Sequence, residues 1–234
     1  MSKTISLDRL WHQVVEYPGP ASRLAALEVA YRAVEEQLAH ATAQETVRTQ
    51  ARLARESATS DPEDIQAKER ELSRTIDQIL PKVFRGGLLL SVWSVFEACV
   101  KDMAEHTRRE RNLPFGLQEL RAGDFLGQME RFFEAVLGIK AFPDKKVRKQ
   151  IEELKGLRNA LAHHDGNVEE LPKSLRATGD KGYAALGLTM HEDLHHDYVV
   201  PNAEYVRQSL DLVRVYLETL SEQVYDTLHP EPND

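Results

Sequence analysis

Apolar residues recur every three or four positions along most of the chain, and this spacing constrains the fold more than any other feature. Leu24, Leu27, Tyr31, Val34, Leu38 and Ala41 form the narrow seam of a helix lying along a partner helix. Beyond Ala41 the sequence stays helix-prone but becomes mostly polar. "SATSDPED" then predicts a loop from its turn formers, and Ile65, Leu72, Ile76, Ile79 and Val83 resume helical spacing. Two long helices around a short loop predict an antiparallel helical hairpin. Pro81 and the glycines at 86 and 87 are expected to kink or interrupt its second arm. Upstream, Ser6 is placed to cap a short helix through Tyr17, stopped by "PGP".

The same period continues downstream. Leu89, Trp93, Phe96, Val100 and Met103 share one face of the most apolar segment, which "NLPFG" ends. Asp124 is the expected cap of a helix carrying Leu126, Met129, Phe132, Phe133, Val136 and Leu137, with Gly138 as its stop. Pro143 and Asp144 start another, with Val147, Ile151, Leu154, Leu157 and Leu161. Only "GDKGYAALGLTM" and "HDYVVP" read differently, as a small β-hairpin. Asn202 then opens a last helix through Val206, Leu210, Val213, Leu217, Leu220 and Val224. The expected fold class is all-α, with a long N-terminal helical hairpin and a small β-hairpin before the last helix. Residues 1–81 read as a helical extension, 82–228 as a helical domain and 229–234 as a disordered tail.

Charge narrows the partners. A net charge of −8 argues against broad coating of nucleic acid, which relies on summed positive charge. It leaves room for a local basic site, and Lys140, Lys145, Lys146, Arg148, Lys149, Lys155 and Arg158 cluster in one stretch. The bland reading of such a run is a solvated helix face. One cysteine, Cys99, within an apolar pattern predicts a small core residue and a reducing compartment. No continuous apolar run reaches the roughly 18 residues of a membrane span, and the N-terminal stretch lacks an apolar export core. The expectation is a cytoplasmic protein with no membrane partner.

The chemistry concentrates in "ELKGLRNALAHHDGN", residues 153 to 167. At about 100° per residue, Arg158 falls among Ile151, Leu154 and Leu161 on the apolar stripe. A cation there must offset its desolvation or find an anion. Asn159 lies one turn before His163, and "DGN" ends the helix just after His164. Spacing alone also fits a purely structural pattern, with Arg158 paired to a buried acid such as Glu97 and the histidines on the last carbonyls.

"LRNALAHHDG" resembles the signature of the HEPN superfamily, the higher-eukaryote and prokaryote nucleotide-binding domains. Its ribonuclease branches carry an arginine, often a polar residue next, and a histidine after four to six intervening positions. Arg158, Asn159 and His163 match with four residues between, and His164 fits with five. "SVWSVFEACVKDMAE", with Phe96 and Glu97, resembles the earlier core helix of bacterial HEPN families, and the resemblance spans roughly residues 82 to 228. It implies a HEPN-like helical bundle and a metal-independent endoribonuclease without cofactor. It further implies an RNA substrate, a homodimer, and a toxin or phage-defence role with an antitoxin or defence-system partner. On that reading His163 is the acid/base, with His164 as the alternative. Arg158 and Lys155 bind the substrate, Arg158 stabilises the phosphate, Asn159 positions the groups and Glu97 supports Arg158. Many HEPN proteins are instead non-catalytic modules that dimerise or bind nucleotides or proteins, and the negative charge and the hairpin fit that alternative.

"HEDLH" at 191–195 spells the HExxH pattern of zinc proteases, which needs both histidines on one helix face and a third ligand. Its strand-like flanks predict a polar loop instead, so no metal site is expected.

Overall fold

The structure, a computed structural model, describes residues 20–56, 61–121, 123–192 and 196–230. They are mostly helical: α1 (Pro20–Glu56), α2 (Pro62–Arg74), α3 (Leu80–Glu110), α4 (Phe125–Leu137), α5 (Lys145–His164), α6 (Lys173–Arg176), α7 (Gly179–Leu186) and α8 (Ala203–Leu228). Strands β1 (Leu188–His191) and β2 (Tyr198–Pro201) pair antiparallel, Leu188 opposite Pro201 and His191 opposite Tyr198. The all-α class with one small hairpin before the last helix is what the apolar spacing predicts. The helix expected at 6–17, part of the "SATSDPED" loop and the end of the expected tail at 231–234 lie outside the described residues.

Helix starts follow from local chemistry. Asp61 accepts from the Glu63 N–H at 3.0 Å, ahead of Pro62 at the first helical position. Asp124 accepts from Gly127 N–H at 2.9 Å, Asp144 from Val147 N–H at 2.8 Å and Asn202 from Tyr205 N–H at 2.9 Å. Gly138, at φ 70°, ends α4 as expected.

Pro81 does not interrupt the second arm. A π-helical turn, Thr75–Ile79, joins α2 to α3, so the helical rod is continuous from Pro62 to Glu110. Proline has no N–H for the Asp77 carbonyl, and its ring would crowd that carbonyl in an α-turn. The wider turn, closed by the Leu80 N–H on the Thr75 carbonyl, accommodates both. Although no continuous apolar run is that long, one 18-residue window of this rod is apolar enough to cross a membrane by length and composition alone, a test that buried core helices also pass. Of that window 44% is buried within the protein, and Leu89, Val92, Phe96 and Val100 have no exposed surface.

The β-hairpin is shorter than the sequence suggests, because Gly179–Leu186 is helical. Ala184, Ala185 and Leu186 favour helix, Tyr183 is buried, and a Cβ on Gly182 would lie 2.2 Å from that of Thr178. Gly187, at φ 83°, stops this helix and turns the chain into β1.

The chain divides into two compact units interleaved in sequence. One comprises Met1–Leu27, Val92–Glu152 and Leu210–Asp234; the other comprises Glu28–Ser91 and Glu153–Ser209. The boundary expected between residues 81 and 82 thus falls inside α3. The first unit is built on aromatic packing. Phe96 has no exposed surface and touches Trp93, Phe125 and Tyr216 at centroid distances of 5.0, 6.1 and 5.6 Å. Burial of each such ring is worth about 1.5–3 kcal/mol. In the second unit α1 runs antiparallel to α2 and α3. Lys68 pairs with Glu56, while further along Arg85 holds Glu35 through two bonds of 2.8 and 2.7 Å. No residue of α2 is fully buried, and Ile65, Lys68 and Leu72 form its half-buried face.

Candidate functional site

Helix α5 carries the "LRNALAHH" residues. Its buried face is Ile151, Leu154, Leu157 and Ala160, each no more than 1% exposed. At about 100° per residue, Arg158 projects between the directions of Ile151 and Leu154. It is half-buried, and its Nε is buried without a hydrogen-bond partner. The Nη1 donates to Asn159 Oδ1 at 2.8 Å. That neutral amide is the hydrogen-bond partner of Arg158, and among the described residues Arg158 makes no ion pair. A buried N–H left unmade costs about 1–3 kcal/mol, more for a charged group.

The helix persists through His164, which keeps Asn159 and His163 one turn apart on one face. His163 and His164 are both exposed, with ring centroids 6.3 Å apart in an edge arrangement. His164 Nε2 lies 3.9 Å from Glu170 Oε2, an ion pair when the imidazole is protonated. Lys155 is half-buried one turn before Asn159. Glu97 belongs to the other unit, where its carboxylate accepts from Lys101 Nζ at 2.5 Å.

The chain leaves α5 through two left-handed residues, Asp165 at φ 53° and Gly166 at φ 79°. The Gly166 N–H donates to the Ala160 carbonyl at 2.9 Å, and the Gly166 carbonyl accepts from Val199 N–H at 3.0 Å. A Cβ on Gly166 would lie 2.9 Å from the Val199 carbonyl oxygen, so glycine is required by contact as well as by φ. Asp165 Oδ2 accepts from Lys82 Nζ at 2.7 Å, and that ammonium stands 4.4 Å from the centroid of the Tyr198 ring. The helix stop is legible in the sequence, whereas Lys82 and Tyr198 are not, because nothing at short range links them to the turn.

Of "HEDLH", His191 closes strand β1, and His195 lies outside the described residues. The helical face that HExxH chemistry needs is therefore absent at its first histidine. Among the described residues no group of three or more His, Cys, Asp or Glu side chains is placed to hold a metal ion. Cys99 is fully buried, and burial pushes its thiol up to about 11, as suits a core residue.

A cavity of about 340 Å³ in the first unit is lined by Lys101, Asp102, Glu105, Arg108 and Glu119, among others. Its charges are already matched. Lys101 holds Glu97, Arg23 holds Asp102, Arg108 and Arg109 hold Glu105, and Glu119 accepts from Gly116 N–H. The two arginines hold the Glu105 carboxyl at about 2, well below the usual range. Arg158, by contrast, keeps an unused donor.

Comparison with known proteins gives no match to a family model, to a curated protein or to a solved structure.

Proposed function

We propose that this chain is a HEPN-like, metal-independent endoribonuclease acting as a homodimer. The observation that carries the reading is Arg158, whose Nε is buried and unpartnered beside Asn159 on the helix that ends at His163 and His164. A guanidinium offers a planar fork of donors that matches phosphate oxygens, and one tooth of this fork is unused. Exposed imidazoles at the end of the same helix offer ring nitrogens that can take and give a proton.

In this reading the RNA 2′-oxygen attacks the adjacent phosphorus and the bond from phosphorus to the 5′-oxygen breaks. A base takes the 2′ proton, an acid gives a proton to the departing 5′-oxygen, and Arg158 stabilises the negative charge between. His163 shares the face of Asn159 and is the first choice for proton transfer, with His164, drawn toward Glu170, the alternative. Lys155 adds substrate-binding charge. The second proton-transfer group comes from a second copy of the chain. Glu97 supports the arginine in the family resemblance, and the biological role is a toxin or phage-defence effector working in the cytoplasm with a restraining partner protein.

The test incubates tag-free protein with RNA, with and without EDTA. Cleavage is expected in both, leaving 2′,3′-cyclic phosphate and 5′-hydroxyl ends while DNA survives. His163→Ala is expected to lower the rate about 10²- to 10⁴-fold. Cleavage that EDTA abolishes, or that persists when both His163 and His164 are alanine, overturns the reading. The alternative, a non-catalytic HEPN module that binds nucleotides or proteins, is favoured by the net charge of −8. It predicts no cleavage under any condition, with nucleotide binding retained in His163→Ala.

A further inference from the structure

We propose that Lys82 is a positioning residue for the two histidines, acting through Asp165; the assignment of a reaction to those histidines rests on the function proposed above. Three observations converge on Lys82. Its Nζ is 2.7 Å from Asp165 Oδ2, and Asp165 directly follows His164. The same ammonium stands 4.4 Å from the centroid of Tyr198, a ring only 4% exposed whose hydroxyl donates to Gln78 Oε1. The Lys82 side chain is itself only 18% exposed, whereas that of Asp165 is 69% exposed.

Asp165 is the element that needs holding. At φ 53° it occupies a region that side-chain-bearing residues seldom adopt. Gly166 is fixed from one side by the strand, through the Val199 N–H bond and the contact that leaves no room for a Cβ. Lys82 fixes Asp165 from the other side. The turn is thereby clamped between the rod of the N-terminal hairpin and β2, and the last turn of α5 cannot unwind without breaking that clamp. Without it, α5 is expected to fray at its end, as helices do, and His163 and His164 occupy that end. Arg158 and Asn159 lie further into the helix and do not depend on it.

The prediction is therefore a split effect. In Lys82→Met, which keeps the aliphatic stem over Tyr198, backbone amide NMR resonances of His163, His164 and Gly166 are expected to shift or broaden. Those of Leu154 and Leu157 stay in place, and Lys82→Arg restores the wild-type positions. For RNA cleavage, kcat falls about 10- to 100-fold with KM nearly unchanged, the size expected when a reacting group is misplaced by about 1 Å. Asp165→Asn produces the same loss, and the two substitutions together lose no more than either alone. Unmoved resonances at His163 and His164 in Lys82→Met overturn the proposal, as does a KM rise at constant kcat. Wild-type protein that cleaves no RNA defeats the proposed function, while the resonances still decide the role of Lys82.

Discussion

Gly156 in α5 offers a test in which two physical effects oppose each other. A glycine inside a helix is ordinarily a defect, and Gly→Ala there stabilises by about 1 kcal/mol. At Gly156 an added Cβ would lie 1.9 Å from Pro172 Cγ and 2.5 Å from Cδ, where carbon pairs need about 3.5–4.0 Å. Pro172 directly precedes α6, and its ring cannot rotate out of the way. Overpacking costs about 1–3 kcal/mol, and a rigid ring at half the contact distance places this site at the upper end. Subtracting the helix gain leaves a net loss of about 2 kcal/mol, or a Tm lower by about 4–8 °C in a chain of this size. Gly87 in α3 is the control, because nothing lies within 4 Å of its added Cβ. Gly87→Ala is expected to raise Tm by about 2–4 °C. Thermal melts of both variants, followed by circular dichroism, make the comparison. The Gly156→Ala, Pro172→Ala double variant removes Cγ and Cδ and recovers most of the loss, a coupling that a double-mutant cycle measures. If Gly156→Ala raises Tm as Gly87→Ala does, the packing argument is wrong.

Further outcomes follow from buried groups. Tyr216 donates to the Ala141 carbonyl at 2.6 Å in a site where both residues are at most 3% exposed, so Tyr216→Phe leaves that carbonyl unpaired. A loss of about 1–3 kcal/mol is expected in urea denaturation, with an unchanged m-value. His106 is 7% exposed, and burial holds its imidazole below the ordinary histidine value against an opposing pull from Glu110. Its folded pKa is depressed, so its contribution is complete above about pH 6.5 and is lost as pH falls through the folded value. Stability measured from pH 7 to 5 should fall, and His106→Phe should flatten that slope. At the proposed site, Arg158→Lys keeps the charge but loses the planar fork and the bond to Asn159. Cleavage is expected to drop about as far as in Arg158→Ala, and retention of wild-type rate would show that charge alone suffices.

Local chemistry was legible and distant contact was not. The caps at Asp124, Asp144 and Asn202 each bond an N–H three residues on, so a few letters contain the whole interaction. The last helix buries Val206, Leu210, Val213, Leu217, Leu220 and Val224, as its period requires. The π-helical turn before Pro81 has no sequence signal, because proline announces a break in a ladder but not its repair. The stretch Gly179–Leu186 reads as strand from its Gly and Tyr content, yet it is helical, because Ala184, Ala185 and Leu186 favour helix.

Arg158 joins both cases. Its place among apolar directions could be computed from residue spacing, and so could the need for something to receive its charge. The sequence offers a buried acid, Glu97, as the expected partner. The hydrogen bond that Arg158 makes goes to the next residue, Asn159, which is polar but uncharged. A neighbour on the same helix reaches one nitrogen of the fork and leaves Nε buried and unanswered. An internal carboxylate would have neutralised the guanidinium and closed the site. A neutral amide orients it without neutralising it, so the guanidinium charge has no anionic partner among the described residues, and that uncompensated charge is what the proposed function rests on.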